Sequence, residues 1–427
     1  MSNNIKDNFV VIQDIIKNID INEMTLDIEV IGNFIHYFEN IEDSRVKGRC
    51  KYKLSNILIL SIFAIMHNNI SILGIYGYIR MYKTRFTEMK LLENEIHPHR
   101  DTISRVFMSL NSSFLHQATL AIFNDFLKLV DKNFDVEGKY RHLAIDGKEV
   151  RSSGRNKNTL NPSRNASNLS IYESGTHIVL DTEVIDEKTN EIPVAQKLLS
   201  RLDLKNSIIT ADALHSQIKT TEVIREKGGD YILNVKFNQK ELREEMESKF
   251  KKIKINEKNH VIKQINQGKL LQKEYYFIKL PKEHSQNDFK DSKSYVIFRK
   301  QKEKSDGTLE YDDLYFISSL TSFETIIEGI ERRWTIENDL HRYKDALFNE
   351  DSIRCTNKTL ISNLNIINNM LLVFVKLARS LKKYEEFNMK FIRNAMVYDG
   401  EKIFKTIINI LGSKKILMNV KKTMLKK

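Results

Sequence analysis

The sequence predicts an α/β protein: a mixed sheet-and-helix core that follows an N-terminal helical domain and is interrupted by a β-rich insertion. Three observations predict it. Apolar residues recur at helical spacing from Asn33 to about Asp131. At Tyr140 the pattern changes to β-branched runs that alternate with short helices. A second group of strands then separates this layer from a later helix. At 427 residues the chain suggests roughly three domains of about 150 residues, with ample length for a large core.

Residues 1–33 read as an N-terminal extension and 34–132 as a helical domain, a candidate DNA-binding unit. LSNILILSIFAIM, the longest apolar run, reads as a buried helix too short to span a bilayer. DTISRVFMSLNSSFLHQATLAIF carries apolar residues at i, i+3 and i+4, with Asp101 or Thr102 as its cap. In a helix-turn-helix Arg105 would face a DNA phosphate; otherwise it solvates an exposed face. Residues 133–237 form the first part of the core. RHLAIDGKEV, LSIYESGTHIVLDTEVID and SIITADAL read as strands, PVAQKLLSRL as a helix with Pro193 in its first turn, SQIKTTEVIREKGG as a helix closed by glycines, and DYILNVKF as a strand. Residues 238–318 hold four more strands, NHVIKQIN, LLQKEYYFIKL, SYVIFRKQ and LEYDDLYFISSL, and are expected to form a small sheet of their own beside the core. Lys251, Lys252 and Lys254 make that segment either a DNA-contacting wall or a solvated helix face. The core resumes over 319–380 with a helix from about Thr325 and a second, apolar one through Ile361, Leu364, Ile367 and Leu371. Residues 381–427 end in a basic tail.

Charge narrows the function. Lys and Arg outnumber Asp and Glu by 68 to 56, for a net charge of +12, which favours a polyanionic partner such as nucleic acid. Cys50 and Cys355 form no C-x-x-C pair, so neither a disulfide framework nor a zinc ribbon is indicated and a reducing cytoplasm fits. The first residues lack the basic and apolar regions of a secretion signal.

Chemistry is concentrated in ERRWTIENDLHRYKDALF. Ile326, Ile330, Arg333, Glu337, Leu340, Lys344 and Leu347 share one helical stripe, and three of them are charged. A charge on an apolar stripe needs a partner or a metal, although Arg333 and Glu337 also have the spacing of an ordinary i,i+4 surface pair. Asp146 and Asp212 each end an apolar strand, at the sheet edge where ligands gather in α/β folds. With Glu337 they supply three hard oxygen donors of the kind two magnesium ions require for phosphodiester displacement.

The strings IDGKEVR, KTNEIP, TADALHSQ, GGDYILNVKFNQ, YFISSL and RWTIENDLHRYKDALFNED, in that order, resemble the signatures of the H-repeat-associated group of bacterial insertion-sequence DDE transposases. HYFENIEDSRVKGRCKYKLSNILILSIFAI and DTISRVF are similar to that group's associated helical domain. The resemblance covers about residues 34 to 380. It implies an RNase H-like core, with Asp146, Asp212 and Glu337 on the catalytic positions. Arg333, Glu337 and Lys344 also keep the spacing of the Tyr-x2-Arg-x3-Glu-x6-Lys signature of related cut-and-paste transposases, where Ile330 replaces the tyrosine. The implied function is metal-dependent cleavage at insertion-sequence ends and transfer of the freed 3′-hydroxyl into target DNA. Two Mg2+ ions, for which Mn2+ may substitute, would be bound, with DNA as partner, a homodimer on paired ends, and a cytoplasmic, nucleoid-associated location without a membrane. Lys148, Arg151, Lys236, Arg333 and Lys344 would contact DNA, as could Asn238 and Gln239, while His215 and His341 would orient an aspartate or a loop. Two other readings share these residues: a non-catalytic DNA-binding derivative, against which the intact carboxylates speak, and a nuclease without strand transfer.

Overall fold

The computed structural model describes residues 28–412 except 47, 125–126, 129–139, 155–162, 186–189, 253–259, 267–268, 282–287, 304–306 and 382. Most of the N-terminal extension, Lys254 and the basic tail beyond residue 412 therefore lie outside the described residues.

The N-terminal helices are α1 (Ile28–Glu39), α2 (Leu54–Met66), α3 (Ile72–Met81), α4 (Lys83–Glu88), α5 (Arg100–Ser109) and α6 (Ser112–Ile122). The apolar run of α2 is buried along nearly its whole length, because helices cover it on several sides. The expected cap at Asp101 or Thr102 is corrected: His99 caps α5, its ring accepting from the Asp101 N–H, and Asp101 sits in the first turn, where a carboxylate suits the helix dipole. Arg105 is exposed and donates to the Asp101 carbonyl.

The sheet begins with β1 (Arg141–Val150), β2 (Ala166–Glu173) and β3 (Ile178–Ile185), an antiparallel meander. Helix α7 (Glu191–Arg201), capped by Asn190, leads to β4 (Ser207–Ala211). Helix α8 (Ile218–Glu226) leads to β5 (Asp230–Val235) through Gly228, whose φ of 80° suits a residue without a Cβ. Strands β1, β4 and β5 are parallel. The order β3-β2-β1-β4-β5 is the expected RNase H-like core.

The expected separate sheet in 238–318 does not form. The segment opens with a helix, α9 (Lys240–Lys252), on which Lys251 and Lys252 are exposed. Its strands β6 (His260–Asn266), β7 (Lys269–Lys279), β8 (Ser294–Glu303) and β9 (Leu309–Ser318) then extend the central sheet, giving the nine-stranded order β3-β2-β1-β4-β5-β9-β8-β7-β6. The reason is local to β5. Its outer edge would leave backbone N–H and C=O groups unpaired, and the apolar end of β9, Tyr315–Ser318, pairs along it antiparallel.

Helix α10 (Phe323–Arg333), capped by Ser322, lies on one face, where Ile326 and Ile330 pack with Ile208, Ile232, Val296 and Phe316. The chain then makes a π-turn (Ile336–His341), α11 (Arg342–Phe348), α12 (Lys358–Arg379) and α13 (Met389–Gly412). Phe404 of α13 packs edge-on against Phe34 at 4.7 Å and beside Phe63 at 5.0 Å, so the last helix closes over the first ones. Among the described residues α12 alone is long and apolar enough to cross a bilayer, but it is buried from Leu360 to Ala378, and packing accounts for its composition.

Candidate active site

Strand register places the two aspartates. Ile145 of β1 pairs with Ala211 of β4, so the next residues on these parallel neighbours are Asp146 and Asp212. Neighbouring strands lie about 4.8 Å apart, which sets the two carboxylates side by side where β4 ends, although β1 runs on past Asp146 to Val150. Asp212 accepts a hydrogen bond from the Ala213 N–H (2.7 Å) and faces Lys236 Nζ, just past β5, at 3.1 Å. Burial would raise its pKa, but the Ala213 N–H and the Lys236 and Arg333 charges outweigh that and hold it below the usual value.

Glu337 arrives on the π-turn, which packs against β1. Four residues on, His341 Nε2 lies 3.3 Å from Asp146 Oδ2. Burial lowers the pKa of this imidazole, and Asp146 only partly offsets it. Arg333 Nη1 stands 3.5 Å from Glu337 Oε1, with its guanidinium 4.5 Å from the Trp334 ring centre. The expected inward stripe is corrected here. Ile326, Ile330, Leu340, Lys344 and Leu347 are buried, whereas the Glu337 side chain is 49% exposed. An α-helix needs two turns for seven residues, but a π-turn, bonded i to i+5, spends an extra residue per turn and leaves Glu337 and Lys344 on different faces.

Each carboxylate therefore has a cationic or imidazole neighbour: Asp146 has His341, Asp212 has Lys236 and Glu337 has Arg333. Among the described residues no three His, Cys, Asp or Glu side chains converge closely enough to hold a metal ion as they stand. The donor set nevertheless fits a hard dication, since it consists of carboxylate oxygens on adjacent strands and on a helix laid against one of them.

Two expected DNA contacts are corrected. Lys148, two residues after Asp146 and on the same strand face, is 8% exposed and ion-paired to Asp345, to Glu350 at 3.1 Å and to Asp351 at 3.5 Å. Lys344 is fully buried, donates to Asn365 Oδ1 at 2.6 Å and lies 3.4 Å from Glu350. Burial tends to raise the Glu350 pKa, yet two ammonium groups hold it low; Lys344, sharing that one carboxylate with Lys148, is left with a lowered pKa by burial. Neither lysine can present its charge to DNA without leaving these partners. Arg151 remains 82% exposed beside Asp351, and Lys236 is half exposed. Asn238, which is exposed, and Gln239 donate to the Ala213 and Ser216 carbonyls and brace the loop after Asp212. His215 is buried, 3.6 Å from Glu191.

Sequence reasoning missed Glu350, Asp345, Asp351 and Asn365, which take up the two lysines. One signal was available: the period of two along β1 puts Lys148 on the face of Asp146, beneath the helix. Nothing in the string FNED marks Glu350 as buried.

A family model described as the transposase DDE domain matches residues 137–374, more than half of the chain, and a model of its associated domain matches 35–122. The chain is 28% identical over 339 residues to putative protein YbfL of Escherichia coli K12, covering 76% of this chain and 85% of that one. The H repeat-associated putative transposase YhhI of the same strain matches with the same identity and coverage. The putative transposase YncI of Escherichia coli O157:H7 is 28% identical over 367 residues, covering 82% of this chain and 89% of that one.

Proposed function

The chain belongs to the transposase DDE-domain family, and from that premise we propose that Asp146, Asp212 and Glu337 are its catalytic, metal-holding carboxylates. The protein is a DNA transposase, an enzyme of DNA cleavage and strand transfer. In our reading Asp146, Asp212 and Glu337 would hold two Mg2+ ions, for which Mn2+ would substitute. Bound magnesium supplies activation of the attacking oxygen and charge stabilisation of the leaving one. The chain's own residues do the rest. The Ala213 N–H fixes one Asp212 oxygen, His341 orients Asp146, Arg333 pairs with Glu337, and the Lys236 and Arg333 charges hold the Asp212 pKa down. Arg151, Lys236 and Arg333 neutralise DNA phosphates at this edge, which makes binding salt-dependent. The protein acts as a homodimer on paired ends, in the cytoplasm.

The observation that carries this reading is the register of β1 and β4, which brings Asp146 and Asp212 together beneath the helix of Glu337. The test is cleavage of an element-end duplex by the purified chain in magnesium. Asp146→Asn and Glu337→Gln should abolish it while DNA binding persists. Cleavage that survives either substitution in a folded protein would remove that residue from the site.

A further inference from the structure

Glu191, the first residue of α7, touches the segments that follow both aspartates. On one side its carboxylate lies against Gly147, the residue after Asp146, so closely that a Cβ at position 147 would stand 2.6 Å from Oε1 and 2.9 Å from Oε2. On the other side Oε2 is 3.6 Å from Nε2 of His215, three residues after Asp212. The His215 side chain is 2% exposed, and the short loop that carries it is fixed by Asn238 and Gln239. Alternation along β1 puts Gly147 on the opposite sheet face from Asp146, so Glu191 stands behind the catalytic edge.

We propose that Glu191 is a positioning residue, a carboxylate wedged between the Gly147 backbone and the buried His215 that sets the separation of Asp146 and Asp212. Position 147 is then glycine because any side chain would displace that wedge. The inference rests on the reading that the two aspartates hold dications.

Mn2+ binding to the full chain without DNA, titrated by the paramagnetic resonance signal of the free ion, tests both. Glu191→Ala and Gly147→Ala should each weaken Mn2+ binding about 10- to 100-fold, the usual loss when a supporting residue behind a metal ligand is removed. The two act on one contact, so the double variant should be no weaker than the weaker single one. Glu191→Gln keeps the length and the polar contact with His215, and should retain most of the affinity. Gly147→Ala keeps Glu191 itself and remains informative should Glu191→Ala fail to fold, as judged by metal-free thermal unfolding. Wild-type affinity in a folded Glu191→Ala or Gly147→Ala protein, alongside loss in Asp146→Asn, overturns the positioning role and leaves the metal site standing. Loss in Glu191→Gln as deep as in Asp146→Asn also overturns it, in favour of a direct ligand. Unchanged affinity in Asp146→Asn instead removes the metal site, and the inference with it.

Discussion

Strand β1 and the helix that crosses it each contribute charges to two neighbouring regions, and the two regions treat them in opposite ways. At the outer edge Asp146, Asp212 and Glu337 are partly exposed, with His341, Lys236 and Arg333 beside them. Two residues farther along β1, and seven along the helix, Lys148 and Lys344 are sealed in with Glu350. The carboxylates and Lys236 can change partners at little cost, because water screens them and exposed pairs contribute about 0–1 kcal/mol, while the Arg333 and His341 side chains, each 12% exposed, are mostly buried beside them. The inner ones cannot, since removing one member strands a charge in the interior. One region is built for exchange and the other for permanence.

The comparison breaks most sharply under substitution of the carboxylates. Asp146→Asn, Asp212→Asn or Glu337→Gln should lower end cleavage at least about a thousandfold, roughly 4 kcal/mol of transition-state stabilisation, with little change in thermal unfolding. A large drop in melting temperature would instead group these residues with the inner set.

Lys344→Met should do the reverse. It leaves Glu350 with Lys148 alone and strands the buried Asn365 oxygen, and should cost roughly 1–3 kcal/mol in denaturant unfolding. A Lys344→Met protein of wild-type stability whose end binding had lost salt dependence would restore the DNA contact expected from the family signature.

A smaller effect is expected at the outer cations. Arg151→Ala, Lys236→Met and Arg333→Met should each reduce the slope of log affinity against log salt by about 1, with stability nearly unchanged. If all three slopes matched wild type, DNA would have to approach along another surface.

A further contrast is in pH. His142, on the same β1 face as Asp146 and Lys148, is held at about 3 by burial and by Arg332, while Glu328 beside it is already paired to Arg332. The unfolded chain takes up a proton below about 6.5 that the folded one refuses, so stability falls as pH drops from there toward 3, by at most about 1.4 kcal/mol per unit from this group. His142→Gln should flatten that slope. Asp212, depressed in the folded state, keeps its contribution above the ordinary carboxylate pKa and loses it only as pH falls through the lower folded value. The two groups therefore separate in a stability profile.

Local structure was plain in the sequence. RHLAIDGKEV is β1 residue for residue, and the strands around Asp212 and the four strands of 238–318 fall where alternation and turn residues put them. Pairing was not, because period two marks a strand without naming its neighbour; hence β9 on the edge of β5 came from the structure alone. The site divides along the same line. Asp212 follows the end of β4, which a sequence displays, whereas Asp146, expected at a strand end, lies within β1, which runs on to Val150. Lys344 depends on Asn365 and Glu350 and on a π-turn that has no signature in IENDLH.

That turn has a genetic consequence. An uninterrupted α-helix over the same residues would put Glu337 and Lys344, seven apart, within about 20° of one another, so the turn is what separates the exposed carboxylate from the buried lysine. An in-frame deletion of one residue within 338–341 that closed the turn into α-helix would leave Glu337 and Lys344 six residues apart, about 120° around the helix and still on different sides. Among copies of a mobile element drifting apart by mutation, loss of that one codon should therefore keep Glu337 outward and Lys344 inward, and transposition counts of such alleles against their parents would test it.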